Sequence, residues 1–154
     1  STNFMTLTKG YGIMNHVFKE YLPQSSNVNL GERKLGVLVS TETGKSTAYG
    51  IGQLEDRGIM FIEPNTEVYE GMIVGECNRD NDLAINVVKG KELTNTRAAF
   101  SDKTVVLKRP RPITLEYALD YINQDELVEV TPLNIRLRKK ILNTEARKKY
   151  DSKK

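Results

Sequence analysis

The chain is poor in the residues from which most catalytic and metal sites are made. Its 154 residues include one cysteine, one histidine and no tryptophan. Cys77 alone cannot close an internal disulfide, which fits a reducing compartment, and no Cys/His metal spacing exists. With His16 as the single histidine, zinc sites and nucleophile–histidine chemistry built on several histidines have little to work with. No apolar run approaches the roughly 20 residues of a membrane span, and the first residues do not read as a signal peptide. The expectation is a cytoplasmic protein that engages no membrane.

What is present is ordinary globular material, 38% hydrophobic and 28% charged. The length suits one domain, or one domain plus a piece of another. A chain of this size can bury roughly 70% of its unfolded surface, so it needs no covalent staples. The net charge of +3 hides an asymmetry. Residues 133–154 hold nine Lys/Arg and two Asp/Glu, a local +7, and the remainder carries 14 basic and 18 acidic side chains, a local −4. A basic end on a slightly acidic body suggests an anionic partner, nucleic acid above all. The plainer reading is a solvated tail.

The stretch 63–82 organises the chain. A Pro64-Asn65 turn leads into an apolar run through Val68, Tyr69, Met72, Ile73 and Val74. The polar group Asn78, Arg79, Asp80, Asn81 and Asp82 comes next. A rigid strand that delivers a polar loop is a common way to build a site. Upstream, Lys9-Gly10 reads as a helix exit. Residues 11–22 fit either a helix or a strand, and His16 lies in an apolar setting that suits a core histidine. Residues 23–32 read as a linker.

Residues 35–42 predict a strand, and Thr43-Gly44 a hairpin turn into residues 45–49. Residues 50–58 predict a short helix or turn carrying Leu54. Residues 83–88 alternate weakly, and further strands are expected at 59–62, 104–107, 127–130 and 135–137. In the last, Ile135 and Leu137 face one way and Arg136 and Arg138 the other. Residues 113–122 are the best helix, with Thr114 as cap and Leu115, Ala118, Leu119 and Ile122 as its stripe. Asn143 or Thr144 caps a basic helix that runs to about Tyr150.

Gly44-Lys45-Ser46 has the look of the end of a phosphate-binding loop. That loop needs a glycine five positions earlier and a helix immediately after it. Val39 stands at the first position, and residues 46–49 read as strand. No carboxylate pair stands out as acid and base, and Cys77 reads as a small buried residue. Residues 89–103 are more informative. Lys89, Lys91, Arg97 and Lys103 can neutralise phosphates, Asn95 and Thr96 can reach sugar hydroxyls or base edges, and Phe100 can stack. That mix suits RNA better than duplex DNA. The alternative is a mobile surface loop. Arg136, Arg138, Lys139 and Lys140 make a second cationic face, or else a solvated strand edge.

Several runs resemble one family. TKGYGIMNHVF (8–18), VYEGMIVGE (68–76), NDL (81–83), LTNTRA (93–98) and DELVEVTPLNIRLRKKIL (125–142) all look like the C-terminal region of BipA/TypA. These are ribosome-binding translational GTPases related to elongation factor G. The resemblance runs in order over essentially the whole chain. It implies an α+β fold. Residues 1–22 would be the last helix and last strand of a ferredoxin-like domain V, which settles 11–22 as a strand. Residues 23–32 would be the linker, and 33–154 a family-specific, mostly β C-terminal domain with one main helix and a basic end.

The resemblance also implies a function. The parent would be a ribosome-stimulated GTP hydrolase, with GTP and Mg held by an N-terminal domain outside this chain. This portion would hold no cofactor and perform no chemistry. Its partners would be the 70S ribosome, ribosomal RNA and A-site tRNA, in ribosome assembly and stress adaptation. The RNA-contacting loop would fall within residues 86–102, where Asn95 and Arg97 match the family. The family usually continues Arg-Ala-Ser-Gly, whereas this chain reads Arg97-Ala98-Ala99-Phe100-Ser101, so the loop tip departs from the pattern. A rival of another class is a protein-interaction module that docks an acidic partner through the basic end.

Overall fold

The structure is a computed structural model that describes residues 4, 8, 11–23, 33–90 and 106–152. It is an α+β fold built on one six-stranded sheet. The strands are β1 (Val37–Ser40), β3 (Gly58–Met60), β5 (Met72–Cys77), β6 (Leu83–Ile85), β7 (Glu126–Val130) and β8 (Ile135–Lys139). A separate two-stranded ribbon joins β2 (Gly44–Lys45) to β4 (Glu67–Val68). The helices are α1 (Ala48–Gly52), α2 (Leu115–Tyr121) and α3 (Thr144–Asp151), with a 3-10 turn at Glu55–Arg57.

β5 is the centre of the sheet. It pairs antiparallel with β1 on one side, and with β3 and β8 on the other. β6 adds parallel to β1, and β7 adds antiparallel to β8. Leu38 lies opposite Gly75 and Val39 opposite Ile73, so Val74 is one extra residue in β5. This bulge turns Val74 and Gly75 to the same face and sharpens the local twist. β5 is apolar on both sides because both of its faces are covered.

Two cores result, one on each face. Leu38, Met60, Met72, Val74 and Cys77 pack with Ile51, Val68, Ile85 and Val87 beneath α1 and the ribbon. Val37, Val39, Ile73 and Leu137 pack against Ala118 and Tyr121 of α2. α2 forms where its sequence predicts, because the Thr114 side chain accepts the Tyr117 N–H. Asn143 does the same for α3 through the Ala146 N–H. Gly71 opens β5 at φ +86, where a side chain would meet the Leu142 backbone.

Three expectations change. The Thr43-Gly44 turn does not lead into a hairpin with β1: β2 pairs with the distant β4, and Ala48–Gly52 is helical because the Thr47 hydroxyl accepts the Gly50 N–H. Residues 11–23 form neither strand nor helix, since a strand needs a hydrogen-bonded neighbour and none of the described residues pairs with them. Tyr11, Ile13, Val17 and Tyr21 are exposed there, and so is His16. Val106 and Leu107, from the strand expected at 104–107, carry no regular structure. Residues 104–105 and most of the 23–32 linker lie outside the described residues, as do most of residues 1–10.

Candidate nucleic-acid interface

Residues Lys91, Asn95, Thr96, Arg97 and Lys103 all lie outside the described residues. The structure does define the two stems of that segment. On the incoming side, Val87 is fully buried and Val88 packs on the core beneath α1. The Thr47 hydroxyl donates to the Lys89 carbonyl at 2.6 Å, and the Asn86 side chain accepts the Lys89 N–H at 3.0 Å. Lys89 therefore has a fixed backbone and an exposed side chain. On the outgoing side, Leu107 packs on the same core, the Lys108 N–H donates to Glu55 at 2.5 Å, and the Arg111 N–H donates to the Met60 carbonyl. Both stems hold to the short stretch 47–60, through Thr47 on one side and Glu55 and Met60 on the other.

The second predicted cationic face divides in two. Arg136 and Arg138 are half-buried on the sheet face that carries Met72, which lies opposite Arg138 in β5. Glu129 sits opposite Arg136 across the strand pair and accepts the Tyr69 hydroxyl at 2.9 Å. Burial and that hydrogen bond push the Tyr69 phenol up to about 12 against the pull of the two arginines, so it stays a neutral donor. Lys140 is exposed, on the wall of a groove of about 670 Å³ under α3.

Lys139 is not on that face. It is 2% exposed, and its ammonium lies 2.5 Å from Asp82, 2.7 Å from Asp125 and 2.9 Å from Glu126. Strand alternation explains this: Lys139 shares its face with Leu137 and Ile135, the buried side. The same alternation that separates Arg136 from Leu137 in the sequence was enough to turn Lys139 inward. Its ammonium is committed to three carboxylates and is not available to a phosphate.

These carboxylates are the one group of acids among the described residues close enough together to share a cation. Lys139 Nζ already occupies that position. Arg33 completes the arrangement with a two-pronged contact to Glu126 at 2.7 and 2.9 Å. Its guanidinium also lies 4.4 Å from the centre of the Tyr121 ring. Burial pushes the Glu126 carboxyl up, but hydrogen bonds and charge from Arg33 and Lys139 outweigh it and hold the group below the ordinary range. Burial likewise pulls the Lys139 ammonium down, and its three acidic partners carry it above the usual value. Asp82 also accepts the Val37 N–H at 2.9 Å. Asp82, at the polar end of the 63–82 stretch, thus ties β1 to β8, and Glu126 carries the network from Lys139 to Arg33.

The fold defines a class of protein: an α+β domain whose sheet is covered on both faces, with hydrogen-bonded stems at Lys89 and Lys108. The comparisons narrow this. Residues 35–144 match the TypA/BipA C-terminal domain family. The chain is 56% identical over all its 154 residues to a Bacillus subtilis (strain 168) protein named "Large ribosomal subunit assembly factor BipA", covering 25% of it. It is 52% identical over 137 residues, 89% of this chain, to 23% of a Synechocystis protein of that name. Identity is 45% over 148 residues, 96% of this chain, to 24% of an Escherichia coli O127:H6 counterpart. The chain belongs to the TypA/BipA family, and residues 35–144 are its C-terminal domain. It spans about a quarter of the length of these curated relatives.

Proposed function

We propose that this chain is the ribosome- and RNA-binding C-terminal portion of a TypA/BipA-type translational GTPase that acts in assembly of the large ribosomal subunit. The observation that carries the proposal is the 56% identity, along the whole chain, to a protein named for large-subunit assembly. The physical support is the loop base. The backbone is held at Lys89 and at Lys108, on either side of that segment. Lys89, Lys91, Arg97 and Lys103 neutralise phosphates, and Asn95 and Thr96 make the more selective contacts. Arg136, Arg138 and Lys140 add a further cationic surface. On this reading the chain binds and positions. GTP hydrolysis, with its Mg, belongs to a domain outside residues 1–154, and A-site tRNA and the 70S ribosome in stress adaptation are further partners of the whole protein.

The test is equilibrium binding of labelled chain to purified large ribosomal subunits over a range of salt. Lys91→Ala with Arg97→Ala is expected to weaken binding and to lower the log–log salt slope by about 1.5, two phosphate contacts' worth. Unchanged affinity and slope would remove the loop from the interface.

A further inference from the structure

Two sets of basic side chains among the described residues differ in what they touch. Arg33, Arg111, Lys139 and Arg147 are already committed inside the protein. They are bound respectively to Glu126, to Tyr117 and Glu76, to three carboxylates, and to the carbonyls of Ile141 and Leu142. Arg57, Arg79, Lys108 and Arg109 are exposed, and no side-chain hydrogen bond or ion pair ties them to another described residue. They come from three separate parts of the chain: the 3-10 turn, the loop after β5, and the outgoing stem of the 90–107 segment.

The fold brings these four together. Lys108 and Arg109 line a cleft of about 290 Å³, and Arg57 and Arg79 line another of about 330 Å³. Asn78 forms part of both clefts. Its side chain donates to the Asp56 carbonyl and its N–H to the Arg57 carbonyl, so the ridge between the clefts is fixed. The clefts also contain the acids Glu55 and Asp56, and Glu55 is already engaged by the Lys108 N–H. Among the described residues the lining keeps a net positive charge. The larger groove under α3 does not offer this. Its Lys139 and Arg147 are committed, and Asp82, Asp125 and Asp151 lie among its cations.

We propose that Arg57, Arg79, Lys108 and Arg109 form a sequence-independent phosphate-binding surface for RNA, continuous with the stem of the 90–107 segment. The proposal rests on the RNA-binding reading above and adds a contact surface to it. Unpaired guanidinium and ammonium groups spread over two adjoining clefts suit a run of phosphates. Asn78 and Asn81 offer donors and acceptors to sugar hydroxyls. Among the described residues no aromatic side chain lines either cleft, so contact there rests on charge and hydrogen bonding to the backbone rather than on base stacking, which suits sequence-independent binding.

The experiment uses chain 1–154, a fluorescently labelled large-subunit ribosomal RNA transcript and graded salt. The combined change Arg57→Ala, Arg79→Ala and Arg109→Ala is expected to lower the log–log slope by about 2 to 3 and the affinity about fivefold per lost contact near 0.15 M salt. The same three positions changed to Lys should keep most of both. Should the triple alanine variant not fold, each single variant is read alone, with about 0.7 to 0.9 of slope expected per position. If these changes leave slope and affinity intact while Lys91→Ala with Arg97→Ala weakens binding, the surface is wrong and the loop reading stands. If the unaltered chain binds no RNA, both fail. If poly-glutamate competes as well as RNA at equal charge and depends on the same arginines, the surface belongs to an acidic protein and the proposal is overturned.

Discussion

Replacing Lys139 by Met removes a charge and leaves most of the apolar stem, so it isolates the ammonium's role. Three carboxylates then face one another. Glu126 is the costly one, because its side chain has no exposure. Breaking a buried ion pair by deleting one partner costs about 3–5 kcal/mol, since the remaining charge stays desolvated. Two features place this site near the lower limit. Arg33 continues to neutralise Glu126 through its two-pronged contact. Asp82 and Asp125, with side chains 41% and 55% exposed, can turn to water, and each such pair contributes less than about 1 kcal/mol. The expected loss is about 3 kcal/mol, read as a lower urea midpoint at unchanged m-value, or as a melting temperature lower by about 10 °C. A loss under about 1 kcal/mol would show that Lys139 is dispensable and that the reasoning about its burial is wrong.

The same cluster sets a pH dependence. Glu126 and Asp125 titrate below their ordinary values when folded, Asp125 because Lys139 outweighs its burial. Their contribution is therefore complete above the unfolded carboxylate range near pH 4 and is lost as pH falls through the folded values. Lys139 titrates above its ordinary value, so its contribution holds below about pH 10 and is lost as pH rises through the folded value. Urea unfolding should give a plateau between those limits, and Lys139→Met should flatten the acid limb. Gly71→Ala should destabilise by about 2 kcal/mol or more, since it forces φ +86 on a residue with a side chain against the Leu142 backbone; thermal unfolding checks this. Thr114→Ala should cost about 1 kcal/mol by removing the α2 cap, seen as a lower urea midpoint.

What could be read from the sequence was mostly local. The caps Thr114 and Asn143 are single-residue signals acting within one turn, and both helices form where they indicate. The strands at 126–130 and 135–139 follow β-branched content and alternation. Pairing is different, because the partner lies far along the chain. Gly44-Lys45 pairs with Glu67-Val68, and β6 joins β1 in parallel, and neither pairing leaves a mark at a turn. Lys139 was legible in principle from its parity with Leu137. Its place in a basic run made it look like surface. The patch at Arg57, Arg79, Lys108 and Arg109 was not legible, because three unconnected segments supply it and only the fold makes them neighbours.

Co-sedimentation of chain 1–154 with purified ribosomal subunits tests the central proposal most directly. The chain should pellet with large subunits at low salt, release steeply and log-linearly as salt rises, and favour large over small subunits. Failure to pellet with large subunits at low salt, or equal recovery with both subunits, would contradict it.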